Sequence, residues 1–557
     1  MILKSFFVGM VFLLCFVGCS PKNKKDLEMN SIVIGLSCDV STLNPLFTTI
    51  ATEQEIVELL YPSLIRPTVD TAQGTLGYSP SLARSYEFLN KNRNILFHLR
   101  TDARWSDSVS ITARDVKFSF MLYGNPAVGS VHQNTLQGLR ASHDGTPDIA
   151  QSIDIINDST LLFHFEKAYS TQLFDVSLPI FPAHIFEKIP AAELRNNPMN
   201  NNPVVAGPFF LASWKPMQEI ILQSNPMSVL PSPAAIRTLV FRIIPDSRMQ
   251  VTQLQKNEID MLIDIEAADA AATQKSNAEI NIFSIKGRRY HFIGWNNIDQ
   301  QAYRESHGLS IRTHPLFGTV RVRQAMTLAI NRNGLLEALL SGYGEIANGP
   351  IAPFFHWAYN DALQPHPFNP QKALQLLEQE GWTDTDNDGV LEKNEKRFSF
   401  ELCIPTGSEF WSNIATIVQK ELRDIKIKVK ISKVERSVYW QNLLEKKYDA
   451  WIAGFEVPME LHLEKFWGSD LKKNSFNIFS YQNNRVNKIV NAAAYSTDQN
   501  VSAQSWKEFQ QILYDEQPCT FLFWENRLVA GNKKIKGIDV NILGPLQNSS
   551  RWSVVAN

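Results

Sequence analysis

Phe398, Phe400, Leu402 and Ile404 alternate with Ser399, Glu401 and Cys403. That period of two predicts a strand with one buried face. Ile425, Ile427, Val429 and Ile431 alternate in the same way with Lys426, Lys428 and Lys430. Between the two runs, Ile414, Ile417 and Val418 lie on one helical face, and Ser408 stands where an N-cap side chain belongs, so a helix runs to about Arg423. Ala450 to Phe455 is a further apolar strand. Short connections and a right-handed crossover place these strands in one largely parallel sheet. Upstream, Ile95 to Arg100, Leu161 to Phe165 and Leu239 to Ile244 read as strands. Ser247 to Lys256 reads as a helix and Ile259 to Ile263 as another strand, a second β-α-β unit. Two amphipathic helices complete the pattern. One carries Val322, Ala325, Met326, Ala329 and Ile330; the other opens at Asn369-Pro370 and closes at Gly381. Both present core-packing faces.

In open α/β sheets a ligand binds beyond the carboxyl ends of the strands. Here those ends are Pro405-Thr406-Gly407-Ser408, followed by Glu409, Phe410 and Trp411, and Phe455-Glu456.

The amino terminus has a different pattern. After Lys4, Phe6 to Val17 is an apolar run. It is shorter than the ~20 residues that span a bilayer, but suits a signal segment. Phe16-Val17-Gly18-Cys19 resembles a lipobox, so residues 1–18 are expected to be a signal peptide, Cys19 the lipidated residue, and the polar, Lys-rich stretch 19–30 a tether. The expected location is the cell envelope, lipid-anchored on the extracytoplasmic side, at the periplasm or the outer membrane.

The remaining chain is too long for one core, and two or three domains are expected of its 557 residues. Lys+Arg 54 against Asp+Glu 56 gives a net charge of −2 without a basic patch, which argues against nucleic acid. No nucleophile elbow, His-Glu-x-x-His, P-loop or dinucleotide fingerprint is present, which argues against an enzyme. Cys38, Cys403 and Cys519 could form one disulfide and a free thiol or stay as three thiols; spacing does not decide.

One local motif is complete. Asp384-x-Asp386-x-Asp388-Gly389 with Glu395 fits an EF-hand loop. Asp384, Asp386 and Asp388 would give side-chain oxygens to Ca²⁺ and Val390 its carbonyl. Glu392 falls at the position often served through water, and Glu395 would bind through both oxygens. A helix leads in and a strand leads out, so the expected ion is structural; the alternative is an acidic surface loop without metal. No other cofactor is required.

Several motifs occur in one order along the chain: Leu43-Asn44-Pro45; Leu60-Tyr61-Pro62-Ser63-Leu64; Phe97-His98-Leu99-Arg100 with Trp105-Ser106-Asp107 and Thr112-Ala113-Arg114-Asp115-Val116; Asn202-Pro203 to Gly207-Pro208; Val320 to Ala325; Phe368-Asn369-Pro370 to Gly381-Trp382; and Tyr448-Asp449-Ala450. Together they resemble the family 5 extracytoplasmic solute-binding proteins, the oligopeptide-, dipeptide- and nickel-binding components of ABC importers. The resemblance implies an α/β, periplasmic-binding-protein-like two-lobe clamp (class C type) with three domains and mixed, mainly parallel sheets. Domain I would comprise 31–66, 200–287 and 508–557, domain II 67–199, and domain III 288–507. It further implies a monomer that captures a peptide, mainly through backbone hydrogen bonds, and delivers it to an ABC permease and ATPase complex.

This sequence departs from the family at Ser108 and Ser110, which replace a Gly and a Pro, and at Phe455-Glu456. There Phe455 replaces a Trp, and Glu456 is the acid left to pair with a peptide's α-amino group. Trp411 would floor a pocket or pack in the core. Asn44 lies near the implied hinge. Tyr481 and Asn483 would line the cleft or form a surface turn. The alternatives are a non-peptide cargo, such as an oligosaccharide or metal chelate, and a sensory or adhesive surface lipoprotein without a permease.

Overall fold

The computed structural model describes residues 30–142, 147–230 and 234–555. The expected signal peptide, Cys19 and the tether up to residue 29 lie outside the described residues.

The alternating run at 399–405 forms a strand in which Phe400, Leu402 and Ile404 are buried while Ser399 and Glu401 are exposed. Ser408 Oγ accepts from Trp411 N at 3.2 Å and caps the Glu409–Asp424 helix. The next strand starts at Lys428, three residues later than the alternation suggests. Lys426 takes a φ of 66°, and Ile427 N bonds back to Leu422 O at 3.0 Å, so Ile425 to Ile427 close the helix instead. Their burial is that of a helix cap, which shares the apolar pattern of a strand.

The strands are β1 (Ser31–Leu36), β2 (Ile65–Asp70), β3 (Thr75–Pro80), β4 (Ala83–Leu89), β5 (Asn94–Leu99), β6 (Ile153–Asn157), β7 (Thr160–His164), β8 (Phe209–Lys215), β9 (Glu219–Ser224), β10 (Thr238–Ile243), β11 (Met261–Leu262), β12 (Ile280–Trp295), β13 (Gly344–Ile346), β14 (Glu392–Lys393), β15 (Lys396–Arg397), β16 (Ser399–Pro405), β17 (Lys428–Val434), β18 (Ala450–Glu456) and β19 (Cys519–Asn532). The main sheet runs β17-β16-β18-β12-β19-β11-β1-β10-β9-β8, with β13 added to β19. Parallel pairing occurs in both expected units. β16 is parallel to β17 and β18, and β1 lies parallel between β10 and β11. What joins them is antiparallel: β12 pairs with β18 and β19, and β19 with β11.

β12 and β19 therefore cross from one lobe to the other. Their ladder breaks between Ile285 and Arg289, where a Cβ on Gly287 would lie 2.0 Å from the Glu525 carbonyl oxygen. Only glycine permits that approach. The kink turns Lys286, Arg288 and Arg289 toward the space between the lobes.

The first lobe carries an antiparallel sheet in the order β4-β5-β7-β6, covered by the Ala113–Gly124 helix, whose Phe120 meets Phe163 edge-on with centroids 5.0 Å apart. Its core joins that of β1 and β8–β10. The second lobe buries side chains on both faces of β12, β18 and β19, and Trp506, Phe509 and Leu513 of the Gln499–Glu516 helix pack there. The two expected amphipathic helices are Val320–Leu328 and Pro370–Gln379; Asn369 caps the second, accepting from Lys372 N at 2.9 Å.

The lobes also touch at their far edges. The β2–β3 hairpin reaches over, with His356 Nδ1 3.2 Å from Ala72 O, and Thr171 Oγ1 lies 3.3 Å from His462 Nε2. Cys38, Cys403 and Cys519 are free thiols, the first exposed and the others buried. Among the described residues no helix is long and apolar enough to cross a membrane.

Candidate functional site

Between the lobes lies a cavity of about 470 Å³. The first lobe lines it with the carboxyl end of β1, with Glu55 and Glu58 of the Ala51–Leu60 helix, and with Asp264 beyond β11. The kinked crossing strands supply Lys286 to Arg289 and Glu525 to Arg527, and the second lobe gives Glu456 at the end of β18. Strand ends thus converge on the cavity, as the topology requires.

Most of these charges are matched within the protein. Arg527 Nη1 donates to Glu55 Oε1 at 2.5 Å, and Arg288 Nη2 to Glu456 Oε1 at 2.7 Å. Arg288 also donates to the Val457 carbonyl. Burial lowers the Arg288 guanidinium below its ordinary range, and the charges of Glu456 and Glu460 oppose this. Burial raises the Glu55 carboxyl, against the pull of Arg527. The protein crowded around Glu58 and the neighbouring Glu55 push its carboxyl up to about 7 against the pull of Arg66, although the side chain still meets solvent in the cleft. Asp264 is likewise raised by burial, despite Arg527.

Behind the cavity runs a relay. Trp411 Nε1 donates to His291 Nδ1 at 3.2 Å, so Nε2 carries the proton that Glu525 Oε2 accepts at 2.9 Å. Burial pushes the Glu525 carboxyl up, but the hydrogen bond from His291 and the charge of Arg289 outweigh it and leave the group below its ordinary value. Trp411 therefore supports a cavity residue from the second-lobe core without lining the cavity itself.

Of the sequence candidates for ligand contact, Glu456 alone lines the cavity. Phe455 packs its ring on Phe466 and Phe292, at 5.1 and 5.2 Å between centroids. Asn44 is fully buried, donating to Asn200 Oδ1 and accepting from Leu46 N, each at 3.0 Å. Tyr481 donates to Glu516 Oε2 at 2.6 Å. Asn483 donates to Glu516 Oε1 at 2.9 Å and caps the Asn484–Ala494 helix.

Glu55, Glu58, Asp264, Arg288 and Arg527 escaped the sequence reading. Local signals marked three of them, Glu55, Glu58 and Arg288. Glu55 and Glu58 are three apart on one helix face, and Gly287-Arg288-Arg289 puts charge and glycine inside an otherwise strand-like run.

The acidic loop lies elsewhere. One carboxylate oxygen from each of Asp384, Asp386 and Asp388 falls within 4.8 Å of the others. Lys426 Nζ donates to Asp384 at 2.9 Å and holds its carboxyl below the ordinary range, and Arg397 pairs with Asp388. Glu392 accepts from Thr385 N at 2.6 Å. Val390 N donates back to Asp388 Oδ1 at 3.0 Å, and Glu395, at φ 63°, sits in the turn between β14 and β15.

A family model described as bacterial extracellular solute-binding proteins, family 5 Middle, matches residues 77–474. The oligopeptide-binding protein AppA of Bacillus subtilis (strain 168) is 27% identical over 572 residues, covering 99% of this chain and 98% of its own. The probable D,D-dipeptide-binding periplasmic protein DdpA of Escherichia coli (strain K12) is 25% identical over 518 residues, covering 92% of this chain and 91% of its own. The solved structure of Bacillus subtilis AppA in complex with a nonapeptide superposes with a TM-score of 0.73 at 26% identity, over 94% of this chain and 99% of that one.

Proposed function

Because the chain belongs to the bacterial extracellular solute-binding proteins of family 5, we propose that it captures peptides between its lobes and presents them to an ABC importer. One observation carries the reading. A cavity between the two lobes is lined by Glu55, Glu58, Asp264, Glu456 and Glu525 together with Lys286, Arg288, Arg289 and Arg527. A peptide is a zwitterion with a polar backbone, and charges of both signs in one partly dry site suit it. The relationship to an oligopeptide-binding protein along nearly the whole chain supports the same choice.

Calorimetric titration of the ligand-stripped protein tests it. Oligopeptides are expected to bind at micromolar Kd or tighter; binding of oligosaccharides in their place would contradict it.

Two subsidiary proposals accompany this one. Lipid on Cys19 would hold a captured ligand near an importer in the same membrane, and Cys19→Ala is expected to move the protein from the membrane fraction to the soluble one. The converging carboxylates of Asp384, Asp386 and Asp388 would hold a structural Ca²⁺ once Lys426 and Arg397 are displaced.

A further inference from the structure

The lobes are joined by β12 and β19, but they also meet at two points that neither strand supplies. The first is the tip of the β2–β3 hairpin. Asp70 Oδ1 accepts from Ala72 N and Gln73 N, each at 3.0 Å, so the first lobe shapes the tip by itself. The tip then rests on the second lobe. His356 Nδ1 lies 3.2 Å from Ala72 O, and Val69 packs against the second-lobe core. Gly74, at φ 66°, comes so near that a Cβ would lie 2.0 Å from the Phe354 carbonyl oxygen. Only glycine allows that approach.

The second point follows β7. Tyr169 is buried, and its hydroxyl donates to Asp175 Oδ2 at 2.6 Å, so its ring is fixed within its own lobe. That ring meets Tyr495 of the second lobe edge-on, with centroids 6.2 Å apart. Lys167 Nζ lies 3.8 Å from the centre of the same Tyr495 ring, and His462 packs beside it at 5.6 Å between centroids. Thr171 Oγ1 in turn lies 3.3 Å from His462 Nε2. Tyr495 is exposed, so this ring is not there to fill a core.

Both points border the cleft. The charged cavity continues into a second compartment of about 260 Å³, with Glu58 and Arg288 shared between them. Arg66 and Pro67 of β2 line that compartment, and so do Phe174 and Met459, each three positions from the contact of Thr171 with His462. If the lobes swing apart about the kink at Gly287, the crossing strands bend but stay paired, while the contacts at both points are lost. Each of those contacts is modest, as a cation over an exposed ring or a single ring pair is. Contacts made only in the closed arrangement act on its population, and through it on how long a ligand stays.

Resting on the reading that the ligand is captured between the lobes, we infer that the β2–β3 tip and the cluster of Lys167, Tyr169 and Tyr495 form a two-point clasp, which holds the lobes together and sets the rate at which a captured ligand escapes. The clasp belongs to the chain itself, so it acts with or without ligand. Its hub is the Tyr495 ring.

The test uses the mature protein freed of ligand, with penta-alanine as the probe for rates and a pool of random pentapeptides beside it. Before any peptide is added, small-angle X-ray scattering should give Tyr495→Ala a larger radius of gyration than the wild type. In stopped flow, penta-alanine should leave that variant about tenfold faster or more, with association not slowed. Tyr495→Phe keeps the ring and should match the wild type in both measurements. Lys167→Gln and His356→Ala each remove one contact and should speed release about threefold. Melting curves establish that the variants fold. An unchanged radius or an unchanged release rate in Tyr495→Ala, or a loss in Tyr495→Phe equal to that in Tyr495→Ala, overturns the clasp and leaves peptide capture standing. No binding of penta-alanine or of the pool by the wild type, with the radius still larger in Tyr495→Ala, overturns peptide capture and leaves the clasp.

Discussion

Around Glu516, polar groups find their partners inside the protein, whereas across the hinge two carboxyls that face the open cleft have no bonded partner among the described residues. Tyr481 and Asn483 each donate to a Glu516 oxygen, at 2.6 and 2.9 Å. Nearby, Arg323 donates to the carbonyls of Glu516, Gln517, Phe317 and Gly318 at 2.9 to 3.2 Å. In the cleft, Glu58 and Asp264 carry raised carboxyls without such partners. Both regions are rich in polar side chains near strand or helix ends. What separates them is satisfaction: a finished network specifies and rigidifies the fold, while unspent charge is available to a ligand.

The largest effect should come from breaking the finished network. Arg323 is buried, and burial lowers its guanidinium to about 10. Arg323→Met leaves four carbonyls without that donor and should remove on the order of 3 kcal/mol or more of stability in denaturant titration. Affinity per folded molecule should be unchanged. Tyr481→Phe is milder. It deletes one bond to a carboxylate and should lower stability by about 2 kcal/mol, again with binding intact. A large loss of affinity in either variant would erase the distinction between the regions.

Glu58→Gln should behave in the opposite sense. The folded-state carboxyl lies at about 7, above its ordinary 4.5. Folding therefore favours the protonated group, and the wild type loses stability as pH rises through that window. The Gln variant lacks this loss, so without ligand it should match the wild type at pH 4 and exceed it at pH 8 by about 1 kcal/mol, a value discounted because Glu58 faces the cleft. The smallest effect concerns the acidic loop. Millimolar Ca²⁺ should raise stability by about 1 kcal/mol if the site binds at about 10⁻⁴ M, and Asp384→Ala should abolish the rise. No response in the wild type would remove the calcium proposal.

Regular repetition was legible in the sequence. Strict alternation at 398–404, the Ser408 cap and the Asn369-Pro370 start each determine local structure by themselves, and all appear as elements. Ile425 to Ile427 misled because a helix cap can bury alternating apolar residues as a strand does. The crossing strands were harder to foresee, because their pairing joins residues over two hundred positions apart. The cleft was least legible for the same reason. Glu58, Asp264, Arg288 and Arg527 come from separate segments, and nothing local marks them as neighbours. Conversely, Asn44, Tyr481 and Asn483 attracted attention as polar residues in motifs. Only the folded chain supplies the partners that tie them to the protein itself.

Identification of the native ligand tests the central claim most directly. The protein should be isolated from its own cell envelope without denaturant, then unfolded, and the released small molecules weighed and fragmented by mass spectrometry. The account predicts peptides of mixed sequence. A saccharide or a metal chelate in their place would contradict it.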